Sequence, residues 1–140
     1  MSNLLVQNIK HTNNTTSMAI DTSGQVTIRG EGSATTTNLQ QGLAKTWVNF
    51  DGTATDAASR DSFNVSGMTD NGTGDYRISH SNDFANANYS TVGASAFNAW
   101  CGPDVPSGTL TGSVDVYTQT GTHTRADRDI LNFASLGDLA

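Results

Sequence analysis

The side chains with which this chain could do acid–base, nucleophilic or metal chemistry are few and scattered. His11, His80 and His123 lie far apart, and none belongs to a metal-ligand spacing such as His-x-x-x-His. Each reads as a histidine on a polar face. Only a threefold axis, bringing three copies of one of them together, would make a metal or anion site. Cys101 is the single cysteine, so no intrachain disulfide can form. It reads as a small buried thiol; a chain-to-chain disulfide or a reactive nucleophile are the alternatives, and no helix N-terminus or neighbouring base is evident to activate it. The run Asp70-Asn71-Gly72-Thr73-Gly74-Asp75 has some of the look of a calcium loop, but it lacks the alternating acidic positions and the closing glutamate. Its glycines are those a tight reversal requires. No Gly-x-Ser-x-Gly elbow and no phosphate loop occurs. The reading is a non-enzyme, with no catalytic residue, no metal ligand and no cofactor.

Contact chemistry has better material. An aromatic ring stacks on the apolar face of a sugar while Asn and Asp bind its hydroxyls, which draws attention to Trp47, Tyr76, Tyr89, Trp100 and Tyr117. Trp47 and Tyr76 sit in alternating apolar patterns and are expected in the core. Trp100 lies among Gly102, Pro103, Pro106 and Gly108, in a stretch that reads as a connection or an edge, because proline is excluded from central strands. Trp100, Tyr89 and Asn88 are therefore the expected contacts to a ligand or partner.

The elements that must position these residues are strands. Phe63 and Val65, then Tyr76 and Ile78, recur at every second position, with Thr69 to Gly74 as the reversal between them. Before them comes the Trp-bearing run Lys45 to Phe50. Further strands are expected at Tyr89–Ala96 and at Leu110–Val116, with a turn from Thr118 to Arg125. The end of the chain, Ile130 to Leu136, reads as a strand or a short helix. Towards the N-terminus, Met18 and Ile20 alternate with Val26 and Ile28 around the turn Asp21-Thr22-Ser23-Gly24, which predicts a hairpin. Such a hairpin is marginal alone in water, so Leu5, Val6, Ile9 and Ile20 are expected to anchor it on sister chains or on another protein. Residues 1–30 thus form an anchoring hairpin. Residues 31–44 form a linker with one short helical turn, and residues 45–140 a small antiparallel β-sandwich of six to eight strands.

Composition agrees with an all-β chain that has a thin core. Thr, Ser, Asn and Gly make up 61 of the 140 residues, while 35% are hydrophobic and 14% charged. The low charge argues against disorder, and Thr favours strands as Ser, Asn and Gly favour turns. A chain that buries little surface alone gains by packing against copies of itself, so an oligomer is expected. The net charge of −6, with no cluster of basic residues, speaks against nucleic acid as a partner. No window is long and apolar enough to span a membrane, and the first residues do not have the pattern of a signal peptide, so synthesis in a cytoplasm is expected.

The wording KTWVNFDGT, then RDSFNVSGMTDNGTGDYRI, then Asn86-Ala87-Asn88-Tyr89 before a further strand, resembles a domain found near the C-terminal ends of bacteriophage tail-fibre proteins, especially in phages of marine bacteria. The resemblance covers Lys45 to Tyr117, about half of the chain. Residues 8–28 also resemble short segments that precede such domains. The resemblance implies a non-enzymatic, trimeric, β-structured virion protein whose chain ends in a strand. It would be made in the host cytoplasm and attach to a host surface glycan or protein, or to another virion component. Because the chain is short for a fibre, a capsid decoration or tail-adaptor protein is the alternative.

Overall fold

The structure is a computed structural model that describes residues 7–10, 16–29, 36–96, 99–104 and 108–140. The chain divides into two compact units, Met1–Leu43 and Ala44–Ala140.

In the first unit, β1 (Asn8–Lys10), β2 (Thr16–Ile20), β3 (Val26–Arg29) and β4 (Thr36–Asn38) form an antiparallel meander in that order. The β2–β3 turn is the one expected from the sequence. Asp21 Oδ1 accepts hydrogen bonds from the backbone N–H of Ser23 (2.8 Å) and Gln25 (2.9 Å), and Gly24 supplies a φ of +80°. The meander is larger than the hairpin read from residues 1–30. The stretch read as a linker contributes β4, paired to β3, and the short 3-10 turn Gln40–Gly42. None of the residues of this unit whose burial is described is buried.

The second unit is the antiparallel sandwich expected from the sequence, built from eight strands: β5 (Thr46–Asp51), β6 (Ala58–Phe63), β7 (Val65–Gly72), β8 (Asp75–His80), β9 (Ser90–Ser95), β10 (Ala99–Pro103), β11 (Ser113–Thr120) and β12 (Leu131–Leu136). One sheet has the order β10-β11-β8-β7 and the other β6-β5-β12-β9. Alternation puts Thr46, Val48 and Phe50 of β5, Tyr76 and Ile78 of β8, Val114 and Val116 of β11, and Leu131 and Phe133 of β12 between the sheets. Phe50 meets Tyr76 edge-on, with ring centroids 5.2 Å apart. The Tyr76 hydroxyl donates to Asp127 Oδ1 at 2.8 Å and lies 3.2 Å from the Gly52 carbonyl oxygen. A Cβ at Gly52 would overlap that hydroxyl, so the turn after β5 requires glycine for space.

Several expectations about the strands are corrected. Phe63 and Val65 do not share one face of one strand, because the chain changes sheets between them. Asn64 takes a left-handed φ of +58°, and its side chain holds the corner. Asn64 Oδ1 accepts from the Asn82 backbone N–H (2.7 Å), and Asn64 Nδ2 donates to the Asn82 carbonyl (3.0 Å). Phe63, at the end of edge strand β6, is left 53% exposed. The strand expected at Leu110–Val116 begins at Ser113 and runs on to Thr120, through residues read as a turn; Leu110 lies in the reversal before it. The chain's last element is a strand, β12.

Trp47 is the larger correction. It was expected in the core, yet Val48 and Phe50 occupy the inward positions of β5, which turns Trp47 outward at 37% exposure. Strand registers then align Phe63, Trp47, Ala134 and Val92 in one row across the outer face of the β6-β5-β12-β9 sheet.

Candidate contact site

Trp100 is exposed as expected, at 51%, but it stands on a strand rather than a loop. β10 is the edge strand of its sheet, which is where Pro103 can be accommodated; Pro106 lies outside the described residues. Along β10, Cys101 points into the core while Trp100 and Gly102 face outward. The indole folds over Gly102, where a Cβ would overlap the ring. On β11, Val114, Val116 and Thr118 point inward, so Asp115, Tyr117 and Gln119 point outward beside it. Tyr117 is opposite Gly102 and Gln119 opposite Trp100. The Trp100 and Tyr117 rings meet with centroids 4.9 Å apart and a tilt of 59°.

Tyr117 has a second neighbour in Arg125. The Arg125 guanidinium lies 5.2 Å from the Tyr117 ring centroid and is tied to Asp75 (2.7 Å) and Asp104 (3.1 Å). Those two partners hold the Arg125 charge more firmly than in free arginine. The reversal after β11 closes the site: the Thr120 N–H donates to the Thr124 carbonyl at 2.8 Å, and His123 has a left-handed φ of +62°. Together Trp100, Tyr117, Gln119, Thr120, Gly121 and His123 line an open cleft of about 450 Å³. It offers two aromatic faces, an amide, a hydroxyl and an exposed imidazole, and among the described residues no carboxylate lines it. Such a surface can stack on a flat apolar face and exchange hydrogen bonds around it.

The other expected contacts fall elsewhere. Tyr89 is 9% exposed and belongs to the core, which corrects its reading as a contact. Its ring stacks on Phe84 with centroids 4.0 Å apart, and its hydroxyl donates towards the Leu110 and Ser113 carbonyls, 3.0 Å from each. Burial pushes the phenol up to about 12. The signal missed was the Phe84–Tyr89 pair itself: two rings with no alternating strand between them can fold onto each other and join the core. Asn88 is exposed on the loop before β9, its N–H donating to Asn86 Oδ1 at 2.8 Å, and it does not line the Trp100 cleft. Of the expected anchoring residues, Ile9 is exposed on β1 and Ile20 half-buried on β2; Leu5 and Val6 lie outside the described residues.

Cys101 is a core thiol. It is buried, and burial pushes its pKa up to about 12, which removes the thiolate at neutral pH. His80 is buried against Phe84 and Tyr89, its Nδ1–H directed to the Thr111 carbonyl at 3.2 Å. His123 lines the Trp100 cleft, and His11 lies outside the described residues. Residues 70–75 form the β7–β8 reversal, with Asp70 Oδ1 accepting from the Gly72 N–H at 2.8 Å. Among the described residues no group of three or more His, Cys, Asp or Glu is placed to hold a metal ion, and no helix is long and apolar enough to cross a membrane. Compared with family models, with curated proteins and with solved structures, the chain matches none.

Proposed function

We propose that the chain is a non-enzymatic bacteriophage virion protein of tail-fibre type, a homotrimer that attaches the particle to a host surface glycan or protein through the Trp100 cleft. The observation that carries this reading is the Trp100–Tyr117 pair, an aromatic platform held half in solvent by Gly102, Arg125 and the β11 reversal. A protein that needed only to fold would gain by burying that indole. Recognition on a rigid β scaffold is the ordinary use of such a surface. The resemblance of Lys45 to Tyr117 to tail-fibre domains supplies the virion context.

The first unit supports an anchoring role in the same assembly. The four-stranded sheet has apolar side chains, Met18, Ile20, Val26 and Ile28, that are only half covered. In this reading the sheet packs with sister chains or with another virion protein. The same observation serves the second reading, a capsid decoration or tail-adaptor protein. Immunogold electron microscopy of purified particles separates the two. Label at the tail tip is expected, label over the capsid establishes the decoration reading, and unlabelled particles overturn both.

A further inference from the structure

We propose that the groove between Trp47 and Val92, on the outer face of the β6-β5-β12-β9 sheet, binds a neutral saccharide, with one hexose ring seated over Ala134. This site is separate from the Trp100 cleft and does not depend on the attachment role proposed for it.

The groove follows from the registers. Trp47 is opposite Ala134, and Ala134 is opposite Val92, so a small residue stands between two large ones on adjacent strands. Trp47 and Val92 are two strand spacings apart, about 9.6 Å. A ring in van der Waals contact with both walls needs about 3.5 to 4 Å on each side, so one pyranose fits between them. The groove has a volume of about 350 Å³, at the small end of ligand sites. On the far side of Trp47, Phe63 continues the apolar row at the sheet edge, so a chain of several sugar rings gains more contact than one.

The neighbouring row supplies the polar groups. Asp61, Asn49, Asn132 and Ala94 align across the same face, two residues along each strand from the apolar row. Asn49 Nδ2 donates to Asn132 Oδ1 at 2.7 Å, which orients both amides. Asn49 Oδ1 then remains as an acceptor and the Asn132 N–H groups as donors. An apolar face flanked by oriented amides matches a sugar ring, whose faces are C–H and whose rim is hydroxyl.

Charge narrows the occupant. Among the described residues no Lys or Arg lines the groove, and the chain carries a net charge of −6, so an anionic ligand is disfavoured.

The chain has two tryptophans, so Trp100→Phe leaves Trp47 as the sole indole reporter. The full-length Trp100→Phe protein is titrated with glucan, mannan and galactan hexamers, and with a uronate hexamer as the acidic probe. At least one neutral hexamer is expected to shift Trp47 emission saturably, and more tightly than its monosaccharide. Asn132→Ala and Ala134→Leu, the second filling the groove, are expected to weaken that binding about tenfold or more while leaving the melting temperature within a few degrees. Absence of a saturable shift with all three neutral hexamers overturns the proposal. So does tighter binding of the uronate, or a shift that follows protein concentration instead of sugar, which would mark a contact between copies. Loss of attachment in Trp100→Ala alone leaves the emission result unchanged, so failure of one reading is distinguishable from failure of the other.

Discussion

His80 shows how one buried group shapes the response of the whole fold to acid. Its Nδ1–H is committed to the Thr111 carbonyl, and its Nε2 is buried with no hydrogen-bond partner in the protein. A second proton would therefore sit on an unsatisfied nitrogen beside Phe84 and Tyr89. Desolvation accordingly holds the His80 pKa below its ordinary value of 6.5, against weaker opposing effects of the Thr111 carbonyl and Asp83. The unfolded chain then binds a proton near pH 6.5 that the folded chain refuses, so stability rises with pH across that interval. Urea midpoints are expected to be level above about pH 7.5, to fall as pH drops through 6.5, and to level again below the folded pKa. In His80→Gln this slope should be largely lost; an unchanged slope would place its origin in another group. Burial corrects the reading of His80 as a polar-face histidine; the partner carbonyl is thirty-one residues away in the chain and no local pattern announces it.

At the scale of elements, the phase of each strand decides which side chains are available for contact. In Thr46-Trp47-Val48-Asn49-Phe50 the period of two allows only one parity inward. Val48 and Phe50 outweigh the single indole. That parity was legible, and reading Trp47 as core put the weight of one large ring above the agreement of two smaller residues. Phe50→Ala should consequently cost about 3 to 5 kcal/mol. Trp47→Ala should cost well under half of that, measured by chemical denaturation, and comparable losses would contradict the assignment of faces. The sheet change at Asn64 was not legible, since Phe63-Asn64-Val65 satisfies the alternation of one continuous strand. Only the left-handed φ and the pairing with Asn82 reveal the corner. Asn64→Ala loses those hydrogen bonds and adopts an unfavourable conformation, at an expected cost of about 2 to 3 kcal/mol. Asn64→Gly keeps the φ and should cost less. The exposure of Trp100 was legible from its glycines and prolines, which mark a connection or an edge; of the two the structure has the edge, where Pro103 ends β10 and Gly102 makes room for the indole.

For the whole molecule, the all-β class and the sandwich were readable from alternation and composition, because both faces of every central strand obey one period. The extent of the first unit was not. β4 is three residues long and amounts to Thr and Asn, which carry no apolar pattern. Light scattering at micromolar concentration is expected to give a trimer for the full chain. The chain beginning at Ala44 is expected to fold with the same near-ultraviolet spectrum and to be a monomer. A full chain that is monomeric would contradict the trimer and leave docking on another virion protein as the role of the first sheet. The central claim, attachment through the Trp100 platform, is tested most directly by the adsorption rate of particles whose copies carry Trp100→Ala. Incorporation at the wild-type level with adsorption slowed about tenfold or more is predicted, the scale expected when a central aromatic is lost from a contact surface. Adsorption at the wild-type rate by fully loaded Trp100→Ala particles would contradict the account.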